Sequence, residues 1–328
     1  MKAYLILPLA LISLSSAIPR AQTADTPIFE QRGSAIKANK GKIIEEALRV
    51  REQVPAISKK EIDEQLIQPM PEPVNLLAPR SETMSSEAVA THARQSNLRV
   101  GYCYLCTKCD NWHLKLAGGY AIATDTIVTC DHVLVNKTKM SDSFFVVADH
   151  VGNVALATAV LARSAAMDAA IVKVAGAEFS PVPLNSEVMQ GTPAYCFSYP
   201  LRQEGYFSAG IVNRFFRNKK YCGEDPKSID ALLHLRVNLS TDWAPGSSGS
   251  PLFDSAGNVI GHVSTISGLG SGKDKSAMLT LHTGIPALAV RTLAENLNNP
   301  DEIRRVAKIG TKRSEPSSAE DEASSENN

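Results

Sequence analysis

The chain has 328 residues, which is enough for one large domain or two ordinary domains with a substantial core. Basic and acidic residues number 34 each, so the overall charge gives no indication of a nucleic-acid or membrane-surface partner. The apolar fraction of 44% and the charged fraction of 21% are those of an ordinary globular protein and exclude a wholly disordered chain.

The N-terminal segment 1–17, MKAYLILPLALISLSSA, has the layout of a secretory signal. Lys2 supplies the positive charge, an apolar run follows, and small residues precede a cleavage point after Ala17. The apolar run is too short to span a bilayer comfortably. We therefore expect residues 1–17 to be removed and the mature protein to be exported, periplasmic or extracellular, without insertion into a membrane.

Residues 18–97 differ in composition from the rest of the chain. Apolar residues at helical spacing over 34–52 predict a helix. Ser58 and Glu61 have the spacing of a capping box and predict the start of a second helix. Prolines and a Ser/Thr-rich stretch follow. We interpret residues 18–97 as an N-terminal helical extension and linker that could serve as a pro-region.

From residue 98 to residue 285 the chain consists of short apolar or alternating runs, such as LRVGYCYL and AAIVKVA, separated by Gly, Asp, Asn and Pro. This pattern indicates an all-β sandwich or a pair of barrels. A weak break at residues 175–190 divides the runs into two halves. After Pro286, ALAVRTLAENL predicts a closing helix, and residues 299–328 are expected to be a polar, acidic, disordered tail.

The stretch TDWAPGSSGSPLFD, residues 241–254, is first of all turn material. One of its serines can be a nucleophile only if a histidine lies within hydrogen-bond reach and a third group orients that histidine. His132 follows a predicted strand, and Asp168 begins another. Either residue alone is more often structural, but their joint occurrence with Ser248 indicates a Ser-His-Asp site.

Three blocks carry a family resemblance: TCDHVL, MDAAIVKV and PGSSGSPLFDSAGNVIGHV, in that order. They resemble the motifs of trypsin-like serine peptidases of the PA clan, nearest in style to the bacterial HtrA and glutamyl-endopeptidase branches. The resemblance implies an all-β peptidase domain at residues 98–298. Its two six-stranded antiparallel β-barrels of chymotrypsin type would span about 98–180 and 188–285, with the active site between them. No PDZ domain is expected, because too few residues follow 298.

The resemblance also implies a role for each site residue. Ser248 would be the nucleophile, His132 the general base and then acid, and Asp168 the group that orients His132. The backbone N–H groups of Gly246 and Ser248 would form the oxyanion hole. We expect an exported serine endopeptidase that hydrolyses protein substrates through an acyl-enzyme and needs no cofactor. The alternative is a catalytically silent two-barrel protein that binds peptides or acts as a scaffold.

Two positions near Ser248 bear on specificity and activation. Asp242 lies six residues before Ser248, where basic-specific members of the family carry the acidic floor of their substrate pocket. The alternative is that Asp242 belongs to a structural Thr-Asp pair of the HtrA branch. Ser247 stands where trypsins carry the Asp that captures a new N-terminus, so we do not expect activation by that ion pair.

The segment HVSTIS, residues 262–267, is expected to pair with the backbone of a substrate. Its candidate substrate-binding residues are Val263, Ser264 and Thr265. His262 lies one residue out of register from the histidine with which glutamyl endopeptidases read acidic substrates. It should therefore face the opposite side of the strand.

The chain has six cysteines, an even number that favours disulfides in an exported protein, although their pairing stays open. A bridge from Cys130 would stiffen the strand end that precedes the candidate histidine. The alternative for the cluster Cys103, Cys106, Cys109 and His113 is a structural zinc site, because thiolates and imidazole at this spacing suit tetrahedral ligation.

Overall fold

The computed structural model describes residues 35–135, 142–203, 205–270 and 277–310. The predicted signal at residues 1–17 and the acidic end of the predicted tail lie outside these residues. Among the helices in the described ranges, none has the length and apolar character needed to cross a membrane.

The first barrel is formed by the strands β1 (Leu98–Leu105), β2 (Trp112–Ala123), β3 (Thr126–Thr129), β4 (Ser143–Ala148), β5 (Val154–Ser164) and β6 (Ala169–Ala175). They close in the order β1-β2-β3-β6-β5-β4, and each pair is antiparallel. Alternate side chains of β1 point to opposite faces. Tyr102 therefore packs inside the barrel, whereas Cys103 packs outside it under the first helix.

The second barrel is formed by β7 (Pro193–Ser198), β8 (Tyr206–Arg217), β9 (Leu235–Leu239), β10 (Pro251–Phe253), β11 (Val259–Gly270) and β12 (Ala277–Pro286). They close in the order β10-β11-β12-β9-β8-β7. The predicted all-β core of two six-stranded antiparallel barrels of chymotrypsin type is therefore confirmed. β10 was not predicted, because its three residues lie inside the Gly/Ser-rich stretch.

Residues 35–97, which we call the N-terminal strap, lie across both barrels. The two predicted helices are confirmed as α1 (Ala35–Arg51) and α2 (Lys59–Ile67), and the capping box of Ser58 and Glu61 is present. Both helices bury apolar side chains against the first barrel. A third helix, α3 (Ser86–Ser96), was not predicted and packs against the second barrel through Val89 and Ala93.

The stretch between α2 and α3 is held by backbone hydrogen bonds to each barrel in turn. The Met70 N–H donates to the Val160 carbonyl of the first barrel, and the Met84 N–H donates to the Ser255 carbonyl of the second. Asn258 accepts from the backbone N–H of Arg80 and donates to its carbonyl. The strap is therefore an integral part of the packed fold from α1 onward.

Two helices follow the second barrel. Two one-turn helices, α4 (Asp131–Leu134) and α5 (Ile229–Leu232), precede them within the barrels, and the closing helix is confirmed as α6 (Ala287–Glu295). The expectation that residues 299–328 form a disordered tail is wrong for α7 (Pro300–Lys308), which buries Ile303, Val306 and Ala307. This helix packs against β5 of the first barrel, and that contact supplies stability which its polar sequence alone does not indicate.

Candidate active site

The first candidate residue, His132, lies on a one-turn helix, α4 (Asp131–Leu134), that begins where β3 ends. The helix is anchored by a buried ion pair in which the Arg163 Nε and Nη2 atoms each lie 2.6 Å from an oxygen of Asp131. Burial raises the pKa of the Asp131 carboxyl although the Arg163 guanidinium opposes the rise. The His132 side chain itself is 44% exposed and faces the cleft between the barrels.

Asp168 occupies the turn before β6 in an uncommon left-handed conformation with φ 60°. Its carbonyl lies 3.1 Å from Nε2 of His262, a fully buried residue whose Nδ1 is 3.4 Å from the Tyr120 hydroxyl. Burial lowers the pKa of His262 to about 4, so the ring is neutral at neutral pH. A neutral ring donates from one nitrogen and accepts at the other. We assign the proton to Nε2, because a carbonyl can only accept.

The Asp168 carboxylate meets His132 on one side and β11 on the other. Its two oxygens lie 2.9 and 3.0 Å from His132 Nδ1, and the Ser264 hydroxyl donates to Oδ2 at 2.5 Å. Burial alone would raise the pKa of Asp168, but the hydrogen bonds from His132 and Ser264 hold it below its ordinary value. Asp168 is therefore an anion that favours a proton on His132 Nδ1, leaving Nε2 as the base.

Ser248 completes the arrangement from the second barrel, because its Oγ lies 2.9 Å from His132 Nε2. Its carbonyl accepts from the Gly118 N–H at 2.7 Å, and the next N–H, of Gly249, donates to the Val263 carbonyl at 2.8 Å. Gly249 has φ 81°, and a Cβ there would lie 2.3 Å from the Gly118 oxygen. Only glycine fits this position, and it brings the serine loop onto the first barrel.

Gly246, the predicted oxyanion-hole glycine, has φ 107°, and a Cβ on it would meet the Tyr199 carbonyl at 2.8 Å. The Pro245 carbonyl accepts a hydrogen bond from the Leu201 N–H at 2.8 Å. Because N–H and C=O point in opposite directions across a trans peptide, this bond directs the Gly246 N–H away from Leu201. Leu201 itself has φ 50°, so the loop that holds this peptide is strained.

Ser247 is fully buried, and its hydroxyl donates to the Ser198 hydroxyl at 3.0 Å. A neutral hydroxyl pair thus occupies the position at which trypsins hold a carboxylate for a new N-terminus. This contact agrees with the expectation that activation does not use that ion pair.

The three predicted substrate-binding residues of β11 differ in their surroundings. The Val263 backbone is already bonded to Ser250 and Gly249, so its N–H and carbonyl are committed within the barrel. A bulge between Val263 and Thr265 takes Ser264 out of the regular register, and its hydroxyl reaches Asp168. Only Thr265 is an exposed residue that lines the cleft.

Asp242 is exposed, and its backbone N–H and carbonyl both bond to the Ser208 hydroxyl. The next residue, Trp243, is buried and packs edge-on against His282 at a ring distance of 4.8 Å, and its indole N–H donates to the Thr265 carbonyl. An acidic pocket floor would be a recessed carboxylate. The exposed Asp242 carboxylate does not have this setting, and which of the two interpretations of Asp242 holds stays open.

Two cavities flank Ser248 and His132. The larger, of about 900 Å³, lies between the barrels and is lined by His132, Asp168 and Thr265. The smaller, of about 380 Å³, is lined by Gly246 and by the Leu114–Ala117 part of β2. A polypeptide could therefore extend to both sides of the serine.

The six cysteines are all free, so the structure contradicts the expectation of disulfides, including a bridge from Cys130. Cys130 is buried and donates to the Val263 carbonyl, and burial raises the pKa of the Cys103 and Cys196 thiols to about 12. These three thiols lie on separate strands or strand ends of the cores. Cys103 is accordingly absent from the predicted zinc cluster, of which Cys106, Cys109 and His113 do come together.

Side chains from two barrels thus bring a serine, a histidine and a carboxylate into one hydrogen-bonded row, and this fold and site define the class of chymotrypsin-like serine peptidases. Residues 117–261 match the family model of the trypsin-like peptidase domain, and this match includes Ser248, His132 and Asp168. The match supports a trypsin-like serine peptidase, a hydrolase of peptide bonds, for this part of the chain.

Comparisons with curated protein sequences and with solved structures give less information about the family. No curated protein sequence matches the chain. Among solved structures, the serine endoprotease from Yersinia pestis is similar over 66% of this chain and 68% of its own, with 15% identity and a TM-score of 0.47. The similarity to trypsin-like peptidases rests on the match of residues 117–261 and not on this structural comparison.

Sequence reasoning missed the parts of the site that hold the row in place. Tyr120 and Arg163 lie outside the three motif blocks, and Asp131 lies inside TCDHVL without any local sign that it is ion-paired. The partners of Tyr120 and Asp131 lie many residues away in the chain. His262 was noticed only as a residue facing the wrong way for substrate, whereas its contact with Asp168 depends on how the second barrel packs against the first. A histidine flanked by apolar residues was the one available signal.

Proposed function

We propose that this chain is an exported serine endopeptidase that cleaves protein substrates through an acyl-enzyme on Ser248. One observation carries the proposal: the Ser248 hydroxyl is within hydrogen-bond reach of His132, whose other ring nitrogen is bonded to Asp168. A serine hydroxyl is a weak nucleophile until such a base accepts its proton.

In the proposed first half-reaction, His132 Nε2 takes the proton of Ser248 while Oγ attacks the carbonyl carbon of the substrate peptide. The carbonyl oxygen becomes negative, and the N–H groups of Gly246 and Ser248 are its proposed donors. The C–N bond then breaks, and His132 returns the proton to the leaving amine. In the second half-reaction a water molecule attacks the ester, His132 takes its proton, and Ser248 regains it as the acid product leaves.

Asp168 and Ser264 position the base in this mechanism. The anionic carboxylate holds the proton on His132 Nδ1 and stabilises the imidazolium formed when Nε2 is protonated. Ser264 holds the second carboxylate oxygen, so the carboxylate cannot rotate away from His132. None of these steps calls for a cofactor.

The substrate is proposed to lie in extended form along β11. β10 pairs with β11 only as far as His262, and residues 265–270 of β11 are exposed. Apart from the bond between the Trp243 indole and the Thr265 carbonyl, no further strand among the described residues pairs with β11 on the side opposite β12 beyond His262. An extended peptide that pairs with this edge would lie across the cleft.

The test is labelling by a fluorophosphonate probe together with hydrolysis of casein. We expect wild type to react in both assays and Ser248→Ala in neither, with kcat lower by about 10⁶. Ser250→Ala is the matched control, because this buried hydroxyl belongs to the same loop but has no hydrogen-bond partner among the described residues and is outside the proposed row.

The alternative, a silent peptide-binding or scaffolding protein, predicts the opposite result. A folded wild type that binds an extended peptide but neither labels nor hydrolyses would establish it. If Ser250→Ala and Ser248→Ala lost labelling and hydrolysis equally, activity would depend on the conformation of the loop rather than on the Ser248 hydroxyl.

Export is a separate part of the proposal, supported by the composition of residues 1–17. Expression of the full chain followed by mass spectrometry of the mature N-terminus is expected to show cleavage after Ala17 and recovery outside the cytoplasm. An intact Met1 terminus on protein retained in the cytoplasm would contradict export and leave the peptidase assignment unaffected.

A further inference from the structure

The cysteine and histidine side chains at the tip of the β1–β2 hairpin take no part in the peptidase mechanism. Cys106 and Cys109 lie in the turn that follows β1, and His113 is the second residue of β2. Their ligand atoms all lie within 4.8 Å of one another, and Cys109 Sγ is 3.1 Å from His113 Nε2.

From this geometry we infer that Cys106, Cys109 and His113 bind one zinc ion, with water as the fourth ligand. Zinc bond lengths of about 2.3 Å to sulfur and about 2.1 Å to nitrogen imply tetrahedral ligand separations of about 3.5–3.8 Å. The one printed separation, 3.1 Å, is slightly shorter than this range and every other lies within 4.8 Å, so the ion requires only small side-chain movements. Thiolate and imidazole donors also favour zinc over the hard cations Mg²⁺ and Ca²⁺.

The backbone of the turn between β1 and β2 brings the two thiols close together. The Cys106 N–H donates to the Asn111 carbonyl at 2.9 Å, and the Asp110 N–H donates to the Cys106 carbonyl at 3.0 Å. Asp110 has φ 51°, which folds the chain tightly enough to return the second thiol to the first. The Asn111 N–H bonds to the Cys109 sulfur and so helps to fix this side chain within the turn.

The position of the cluster indicates what the ion would do. Its ligands join the end of β1 to the start of β2, and the following residues of β2, Leu114–Ala117, line the smaller cavity beside Gly246. The zinc ion would cross-link the open end of the hairpin that walls this part of the cleft. None of its ligands belongs to the row of Ser248, His132 and Asp168, so the inference does not depend on the peptidase mechanism.

The experiment uses the full chain, reduced and freed of metal, and titrates it with zinc against a chromophoric chelator. Wild type is expected to bind about one zinc ion per chain. Cys109→Ser and His113→Gln are expected to weaken binding by more than the roughly 10–100-fold typical of losing an outer-shell partner. Cys222→Ser, which removes an exposed cysteine outside the cluster, is the matched control and should bind as wild type does.

Cobalt provides a readout that does not depend on the stability of a variant. Co²⁺ added to wild type is expected to give a thiolate charge-transfer band and the intense visible bands of a tetrahedral site. Oxidation of Cys106 and Cys109 by diamide, which takes two electrons and two protons to form a disulfide, should abolish both bands, and dithiothreitol should restore them. Reduced wild type without these bands, or ligand variants that bind zinc as tightly as Cys222→Ser, would overturn the inference.

Discussion

The buried histidine His262 makes the stability of the fold depend on pH. In the folded chain burial lowers its pKa from 6.5 to about 4. Between these values the unfolded chain binds a proton that the folded chain does not, so stability falls as the pH drops through this window. Each unit of pKa difference corresponds to about 1.4 kcal/mol, so the loss of unfolding free energy is about 3 kcal/mol between pH 7 and pH 4.

The perturbation that isolates this effect is His262→Gln. The glutamine amide can still donate to the Asp168 carbonyl, which would otherwise be left unpaired, but it does not titrate. The free energy of unfolding is measured in urea at pH 7, 6, 5 and 4 for both proteins. Other buried groups, such as His92 with its lowered pKa, titrate alike in both and cancel in the difference.

We expect wild type to lose about 3 kcal/mol more than His262→Gln over this interval. At pH 7 the variant should keep most of its activity, whereas His262→Phe, which removes the donor, should lose activity as Asp168 shifts. Parallel stability curves for wild type and His262→Gln would refute the assignment of a buried, neutral His262.

Three further predictions concern the site and its supports. Asp168→Asn reverses the preferred tautomer of His132, so kcat on a fluorogenic peptide should fall by about 10⁴ at neutral pH, and a change below tenfold would contradict the orienting role. Asp131→Ala leaves Arg163 buried without its partner, and urea unfolding should show a loss of about 3–5 kcal/mol; a loss under about 1 kcal/mol would mean that solvent reaches the guanidinium. Gly246→Ala brings a methyl group against the Tyr199 carbonyl at a φ that disfavours alanine, so kcat of the folded variant should fall by about 10²–10³, and unchanged kcat would place the oxyanion donors elsewhere.

The two barrels and the row of Ser248, His132 and Asp168 could be predicted from the sequence, because both depend on local signals. Alternating runs such as LRVGYCYL coincide with β1, and the three motif blocks mark strand ends that the two-barrel topology brings together. By contrast, α3 has only Val89 and Ala93 as regularly spaced apolar anchors among polar residues. Its stability comes from the second barrel, which a local pattern does not describe.

The cysteines show why composition alone was insufficient. An even number in an exported chain favours disulfides, but a bridge needs two Cα atoms within about 7 Å of each other. Cys103 and Cys196 belong to different barrels, whereas Cys106 and Cys109 meet His113 because one turn holds all three. The proximity of the hairpin trio could be predicted from spacing, and the isolation of the buried thiols could not.

The N-terminal strap has a consequence for how the two barrels move. His132 and Asp168 belong to one barrel and Ser248 to the other, so the distance between base and nucleophile depends on how firmly the barrels are joined. The strap is bonded to the first barrel at Met70 and to the second at Met84, while α7 returns from the second barrel to the first. A single proteolytic cut between Met70 and Met84 would leave every residue of the site intact. It would, however, break one of the two connections between the barrels that set the width of the cleft. Such a peptidase could therefore lose activity through damage far from its nucleophile.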